Sequence, residues 1–433
     1  MALFFVCFMV GRNIPLPLLH HTAASTAEAS SDLLNAANIA SGGNFFTPSF
    51  FSLGLGPWMT AAILWRFLFI GKIARDRKIP QESQDRARNA VMVILAVIQA
   101  IALMGTYDIS GIPGPFAPET NAKIVIVIVL VAGACLVAWL ANQNQDKGLG
   151  GVTMFILYQI CITAVRNFEA LSPRAAHAEA PRVFWIVAAA IVIAVLIGFL
   201  LGNSELRVHV NKISIDNGFT GVSYMPLKLN PAGASPIMYA LTLLALPTYV
   251  AHAIAALAPG TQAGTDRFLN GWGLTTHYGF IAYLILLFAL TIFFGLFTVN
   301  PKDTAKRMLD GGEYFDGVNP GAATRRFISG RVTGLSIASG ILLVILAGGP
   351  LFFLRDHQNL QYFLMLPGTF IMVLALLWLL YEEIADTRIG TKYSFDVLPD
   401  KARKAAAAAA RSTAVHSAAT QSASSQQKAV AAA

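Results

Sequence analysis

The sequence predicts an all-α polytopic membrane protein: ten transmembrane helices in two inverted, pseudo-symmetric halves of five. Three observations predict it. Of the 433 residues, 55% are hydrophobic and 12% are charged, with a mean hydropathy of +0.59; a soluble chain carries about twice that charge fraction. Apolar runs approaching or exceeding the ~20 residues needed to cross a bilayer recur ten times along the chain. The second and seventh runs open on the same break, "GLGP" at 54–57 and "GASP" at 233–236, with glycine three positions before proline.

The spans, in order, are residues 2–19, 54–71, 89–106, 123–141, 149–167, 182–202, 233–258, 273–299, 331–354 and 359–382. The first has no charged leader and no prompt small-residue cleavage site, so it reads as a span shortened at its cytosolic end and not as a cleaved signal. Spans 2 and 7 hold equivalent places in the two sets of five. An odd number of spans per set inserts the second set upside down. Paired interruptions in such inverted repeats mark a functional centre. Proline suits the first helical turn, where its missing N–H goes unbonded anyway. Non-helical backbone at membrane depth survives only against protein or a water-filled cavity, so the breaks predict a cavity between the halves. The N-terminal half covers 1–167, the C-terminal half 182–382, and a tail follows over 383–433.

Orientation follows from the basic residues. With both termini in the cytosol, 23 Lys and Arg fall on the cytosolic side and six on the other. Arg12 and Arg66 alone lie well inside spans. Loop 72–88 is explained by this bias. Loop 301–331, mixed in charge and rich in Gly, suits an ordered docking surface for a partner. The tail beyond about 400 is low in complexity, without apolar periodicity, and reads as solvated.

No acidic residue occupies the middle of a span, and Glu382 and Glu383 lie at the end of the tenth. An ion-coupled carrier needs such groups, which weighs against a secondary transporter with inverted repeats. An assembly scaffold without conduction is a second alternative. No Gly-x-Ser-x-Gly, His-Glu-x-x-His or Walker loop is present, so neither an enzyme nor a cofactor is expected. Cys7, Cys135 and Cys161 lie in apolar runs without metal-ligand spacing and read as small buried hydrophobes. His20 and His21 have no companion ligands and read as structural. Bulky apolar side chains near the breaks, among them Leu55, Met59 and Met238, fit either helix packing or a constriction that holds back water and ions.

Several stretches resemble SecY, the central subunit of the bacterial protein-conducting channel, over roughly residues 8–395. They are "NIPLPLL" (13–19), "SGGNFFTPSFFSLGLGPWMTAAIL" (41–64), "DKGLGG" (146–151), "SYMPLKLNPAGASPIMYA" (223–240), "NPKDTAKRM" (300–308) and "GVNPGAATRRFI" (317–328). The resemblance implies an hourglass pore for unfolded secretory polypeptides, closed by an apolar ring and a plug, and opening sideways into the lipid bilayer between spans 2–3 and 7–8. The ring then falls on Leu55, Met59, Ile156, Met238 and Val373, Ile156 and Val373 through looser local matches. The plug falls on about 29–50, with Phe45 and Phe46 inside it. Thr60 and Gln99 match polar positions of the lateral gate. The chain carries no nucleotide motif, so the family's SecA-type ATPase is expected as motor, docking through Asn319, Arg325 and Arg326, with small SecE- and SecG-like membrane subunits as further partners and no nucleic acid.

The departures from the family point to its accessory branch, which exports Ser-rich glycosylated surface proteins, with the housekeeping channel as the alternative. Asn319 stands where Arg is usual, and Arg66 where Gln is usual. Two ring positions are Met where Ile is common, and the family's cytosolic N-terminal segment is missing. A mid-span Arg costs roughly 2.5–3.5 kcal/mol on insertion scales, so Arg66 is expected near the interface or an aqueous funnel.

Overall fold

A computed structural model describes residues 2–16, 49–70, 81–104, 119–147, 150–162, 181–212, 223–233, 235–274, 276–354 and 366–392, with Leu33, Leu34, Ala37 and Val165. The helices are α1 (Ala2–Asn13), α2 (Gly56–Ile70), α3 (Gln81–Met104), α4 (Glu119–Lys147), α5 (Gly151–Ile162), α6 (Pro181–Asn203), α7 (Ser235–Leu257), α8 (Gln262–Gly271), α9 (His277–Val299), α10 (Pro301–Asp310), α11 (Ala322–Leu354) and α12 (Leu366–Lys392). Each of the ten predicted spans holds one helix. Described stretches of α3, α4, α7, α9, α11 and α12 are long and apolar enough to cross a membrane. The chain divides into two compact units, Met1–Leu380 and Tyr381–Ala433. All that follows concerns the first.

Helix ends differ from the apolar runs that predicted them, and three show why. α1 stops at Asn13 because Pro15 disfavours helix at the residue before it and has no N–H to give; Pro15 instead bridges Ser49. α3 begins eight residues before its apolar run, and α11 nine residues before its own. In both, polar residues extend the helix beyond the apolar stretch, where water can solvate their side chains. The cysteines also differ from expectation: Cys7 and Cys161 are exposed on the outer face of the isolated chain, and Cys135 is half-buried.

The two breaks fold alike. Gly54 (φ 53°) and Gly233 (φ 66°) both take the left-handed conformation that glycine adopts without strain. In each case the helix starts one residue before the proline, at Gly56 and at Ser235. The proline thus occupies the first turn, where no backbone partner is lost.

One large apolar core runs through this unit. It takes Phe8 from α1, Met59 from α2, Val137 from α4, Phe155 from α5, Leu241 and Leu244 from α7, Leu287 and Leu290 from α9, Leu343 from α11, and Ile371 and Met372 from α12. α9 lies close along α11, with Gly340 against Phe288 and Gly295 against Ser336. Small residues let helix backbones approach in this way.

The connections after α6 and α9 make a second, smaller layer. Strand β1 (Glu205–His209) pairs antiparallel with β3 (Tyr224–Lys228), with Glu205 opposite Lys228. Strand β2 (Asn211–Lys212) pairs with β4 (Glu313–Tyr314). Val210, Leu227, Ala305, Met308, Phe315, Ile328 and Val332 form the core beneath them. Segment 301–331 is therefore an ordered surface built from α10, β4 and the start of α11, as its composition predicts.

Candidate functional site

Met59 and Met238 stand at equivalent places, each two residues after the proline that opens its helix. Both side chains are buried, at 1% and 4% exposure, in the same core. Leu55 sits in the turn before α2, and its carbonyl accepts the Met59 N–H at 2.9 Å. That bond fixes Leu55 one turn below Met59. Ile156 on α5 is buried in the same core, and Val373 on α12 is half-buried against it. The five predicted ring residues thus join one apolar cluster, although they come from four helices and a turn. None of these five side chains carries a charge or an oxygen that could replace an ion's hydration shell.

Short hydroxyl side chains lie behind the methionines. Thr60 donates to the Gly56 carbonyl at 2.8 Å, and Thr242 to the Met238 carbonyl at 2.8 Å. Both satisfy themselves within their own helix and leave the facing surface apolar. Thr60 and Gln99, on the adjacent helices α2 and α3, are buried. Phe45 and Phe46 lie outside the described residues. From the predicted plug, Leu33, Leu34 and Ala37 are buried in the same core as the ring residues.

Asn319, Arg325 and Arg326 are exposed at the start of α11. The Asn319 carbonyl accepts from Thr324 at 3.0 Å, tying the approach loop to the first helical turn. Lys302, Lys306 and Arg307 on α10 are exposed as well, alongside Asp303 and Asp310, so this layer presents a mixed surface that is basic on balance. Among the described residues, no three His, Cys, Asp or Glu side chains gather as metal ligands would.

Two intramembrane arginines find aromatic partners. Arg12 on α1 is buried, with its guanidinium 5.6 Å from the Tyr158 ring centre. Arg66 on α2 lies 5.1 Å from the ring of Phe297, 5.4 Å from Phe294 and 5.9 Å from Tyr239. Sequence reasoning placed Arg66 near an interface or funnel and missed this bed. The signal for it was "FFGLF" at 293–297, a run of aromatics on one helix with no carboxylate in reach of a mid-span Arg.

The sequence model of the SecY family matches residues 49–380. The chain belongs to the SecY family. Among the relatives of this family member is an accessory Sec system protein translocase subunit SecY2 of Leuconostoc gelidum subsp. gasicomitatum, 33% identical over 84% of this chain and 88% of that one. A SecY2 subunit of Streptococcus sanguinis is 29% identical over 90% of this chain and 95% of its own length. A solved protein-conducting channel shares the fold, with a TM-score of 0.62 at 15% identity over 92% of this chain and 93% of the other. So does Sec61 in the canine ribosome–channel complex, at a TM-score of 0.55 and 15% identity, over 92% and 93% of the two chains. This SecY-family chain is a multi-pass membrane protein and a subunit of a protein-translocation channel.

Proposed function

We propose that the chain is the channel subunit of an accessory Sec translocase, passing unfolded polypeptides across the bacterial cytoplasmic membrane, with both termini in the cytosol. The observation that supports this reading is that Leu55, Met59, Ile156 and Met238 are buried in the same apolar core, with Val373 packed against it, and that the two helices opened by the glycine–proline breaks, α2 and α7, touch. An apolar ring sheds water at rest. Its two methionines are unbranched and polarisable, so they can reshape around any side chain that passes and close afterwards. The segment around Phe45 and Phe46 backs the ring as a plug. Thr60 and Gln99 line the exit toward lipid. The cargo is a Ser-rich glycosylated surface protein, as suits the accessory branch, and names of relatives support that branch. No charged anchor lies in the ring to hold such a polar chain back.

The free energy comes from outside, since the chain carries no nucleotide motif. A SecA-type ATPase docks on the basic layer of α10 and the start of α11, through Asn319, Arg325 and Arg326. A neutral amide at 319 cannot make the bidentate contact of a guanidinium, which tunes the surface to an accessory motor. Small SecE- and SecG-like subunits cover part of the exposed apolar face.

Cysteines placed at Met59 and Met238 test the reading. A secretory chain stalled in transit should crosslink to both. With normal expression and insertion, labelling of neither position overturns the channel and leaves a scaffold that conducts nothing.

A further inference from the structure

Seven residues separate Met59 from Arg66, so two helical turns place them on one face of α2, about 10 Å apart. Above the ring residue, on the same stripe, stands a cation. Among the described residues no carboxylate pairs with it. Its neighbours are ring faces from the other half of the chain: Tyr239 on α7, next to Met238, and Phe294 and Phe297 on α9. The rings also pack on one another. Tyr239 stacks on Phe294 at 4.8 Å, Phe293 stacks on Phe297 at 6.4 Å, and Phe67 on α2 meets Phe293 at 4.5 Å. The bed runs from the interior, where Phe294 is 2% exposed, to the outer face, where Phe67 and Phe297 are 40% and 45% exposed. It therefore runs from buried to exposed residues along the contact of α2 with α7 and α9.

A guanidinium at membrane depth is costly unless something replaces water. Aromatic faces do so through their negative quadrupoles, and the planar guanidinium can stack on them as an ammonium cannot. Parting α2 from α7 and α9 strips Arg66 of all three faces at once. Aliphatic side chains entering the gap offer the cation nothing, whereas aromatic ones restore what it lost.

We propose that Arg66, laid over Tyr239, Phe294 and Phe297, is a latch on this seam, released by a transiting segment whose own aromatic side chains take up the guanidinium. The release step rests on the channel reading above; the latch itself is a property of the resting chain. Arg66 is thereby a specificity-determining residue, favouring aromatic over aliphatic segments of equal hydropathy at the lateral exit.

Spin labels at Ile94 on α3 and Ile285 on α9, both exposed on the outer surface at 61% and 65%, read the seam in lipid without cargo, after replacement of Cys7, Cys135 and Cys161. The wild-type chain should give one narrow distance distribution. Arg66→Gln and Arg66→Met should add a longer-distance population, raised on the order of tenfold, and Arg66→Lys should fall between. Distributions unchanged in both Arg66→Gln and Arg66→Met overturn the latch. A stalled chain with a Phe-rich leader should then crosslink at Met59 and Met238 more than one with a Leu-rich leader of matched hydropathy, and Arg66→Gln should abolish the difference. Equal yields in the wild type, or a preference that survives Arg66→Gln, overturn the release. Absence of crosslinks with either leader counts against the channel reading alone, because the spin-label distances still report on the latch.

Discussion

Gly295 has no room for a methyl group. A Cβ there would run into the Ser336 hydroxyl, with Ser336 Cβ at 3.1 Å and Pro231 Cγ at 3.2 Å. Between membrane helices such fits matter because lipid supplies no hydrophobic drive to hold them together. The Ser336 hydroxyl is itself buried and has no hydrogen-bond partner among the described residues. Gly295→Ala should therefore destabilise the protein by about 1–3 kcal/mol, the usual cost of overpacking. Ser336→Ala removes both the colliding atom and an unsatisfied hydroxyl, and should be neutral or stabilising by up to about 1 kcal/mol. The double variant should lose clearly less than the sum of the two effects. Thermal unfolding in detergent gives the cycle, and strict additivity would mean that the two residues do not collide.

At the scale of elements, Asn300 ends one helix and begins another. It is the sole non-glycine residue with positive φ among those described, at φ 43°. Its N–H donates to the Leu296 carbonyl at 3.1 Å, closing α9, and its side chain bonds Asp303 in the first turn of α10. Asn tolerates this left-handed conformation and Pro301 then occupies the first helical position. Asn300→Gly should cost a few tenths of a kcal/mol, and Asn300→Val more than about 1–2 kcal/mol. Limited proteolysis of the basic layer checks it: cleavage within 301–321 should rise for the valine variant and stay low for the glycine variant. The paired breaks at Gly54 and Gly233 were legible in the sequence for a related reason, since glycine and proline write backbone geometry directly into the chain. The β1–β3 hairpin and the β2–β4 pair were not legible. β1 and β3 lie near each other in the chain but show no clean alternation of buried and exposed residues; β2 and β4 are separated by α7 to α10, with the Asn211–Asp316 bond spanning 105 positions, and no local pattern encodes that distance. Of the site, Leu55, Met59 and Met238 could be read from the breaks as candidates, whereas Ile156 and Val373 came only through resemblance. The aromatic bed of Arg66 depends on which helices pack together, which periodicity within α2 leaves open.

At the scale of the whole molecule, two fields of side chains divide the work: a basic layer outside the apolar core and an uncharged cluster within it. Neutralising Arg325 and Arg326 should weaken binding of a SecA-type ATPase several-fold, more at low salt than at high salt, because exposed charges are screened over about a Debye length. Membrane insertion should be unaffected, and equal affinity in a titration would move the dock elsewhere. The seal tests the other field. Leu55→Gly with Met238→Gly removes bulk from both sides of the cluster and leaves backbone that water can approach. If this cluster holds back ions, resting conductance in a planar bilayer should rise well above the wild-type value. Loosened packing alone could also cause leakage, so the control is Ile126→Gly on α4, a fully buried residue in a separate apolar cluster. That variant should lower thermal stability, by about 2–5 kcal/mol if it behaves like other large-to-small core changes, and still conduct no more than wild type. Conductance unchanged by the paired substitution, or raised equally by Ile126→Gly, would assign these residues to packing and place the seal somewhere else.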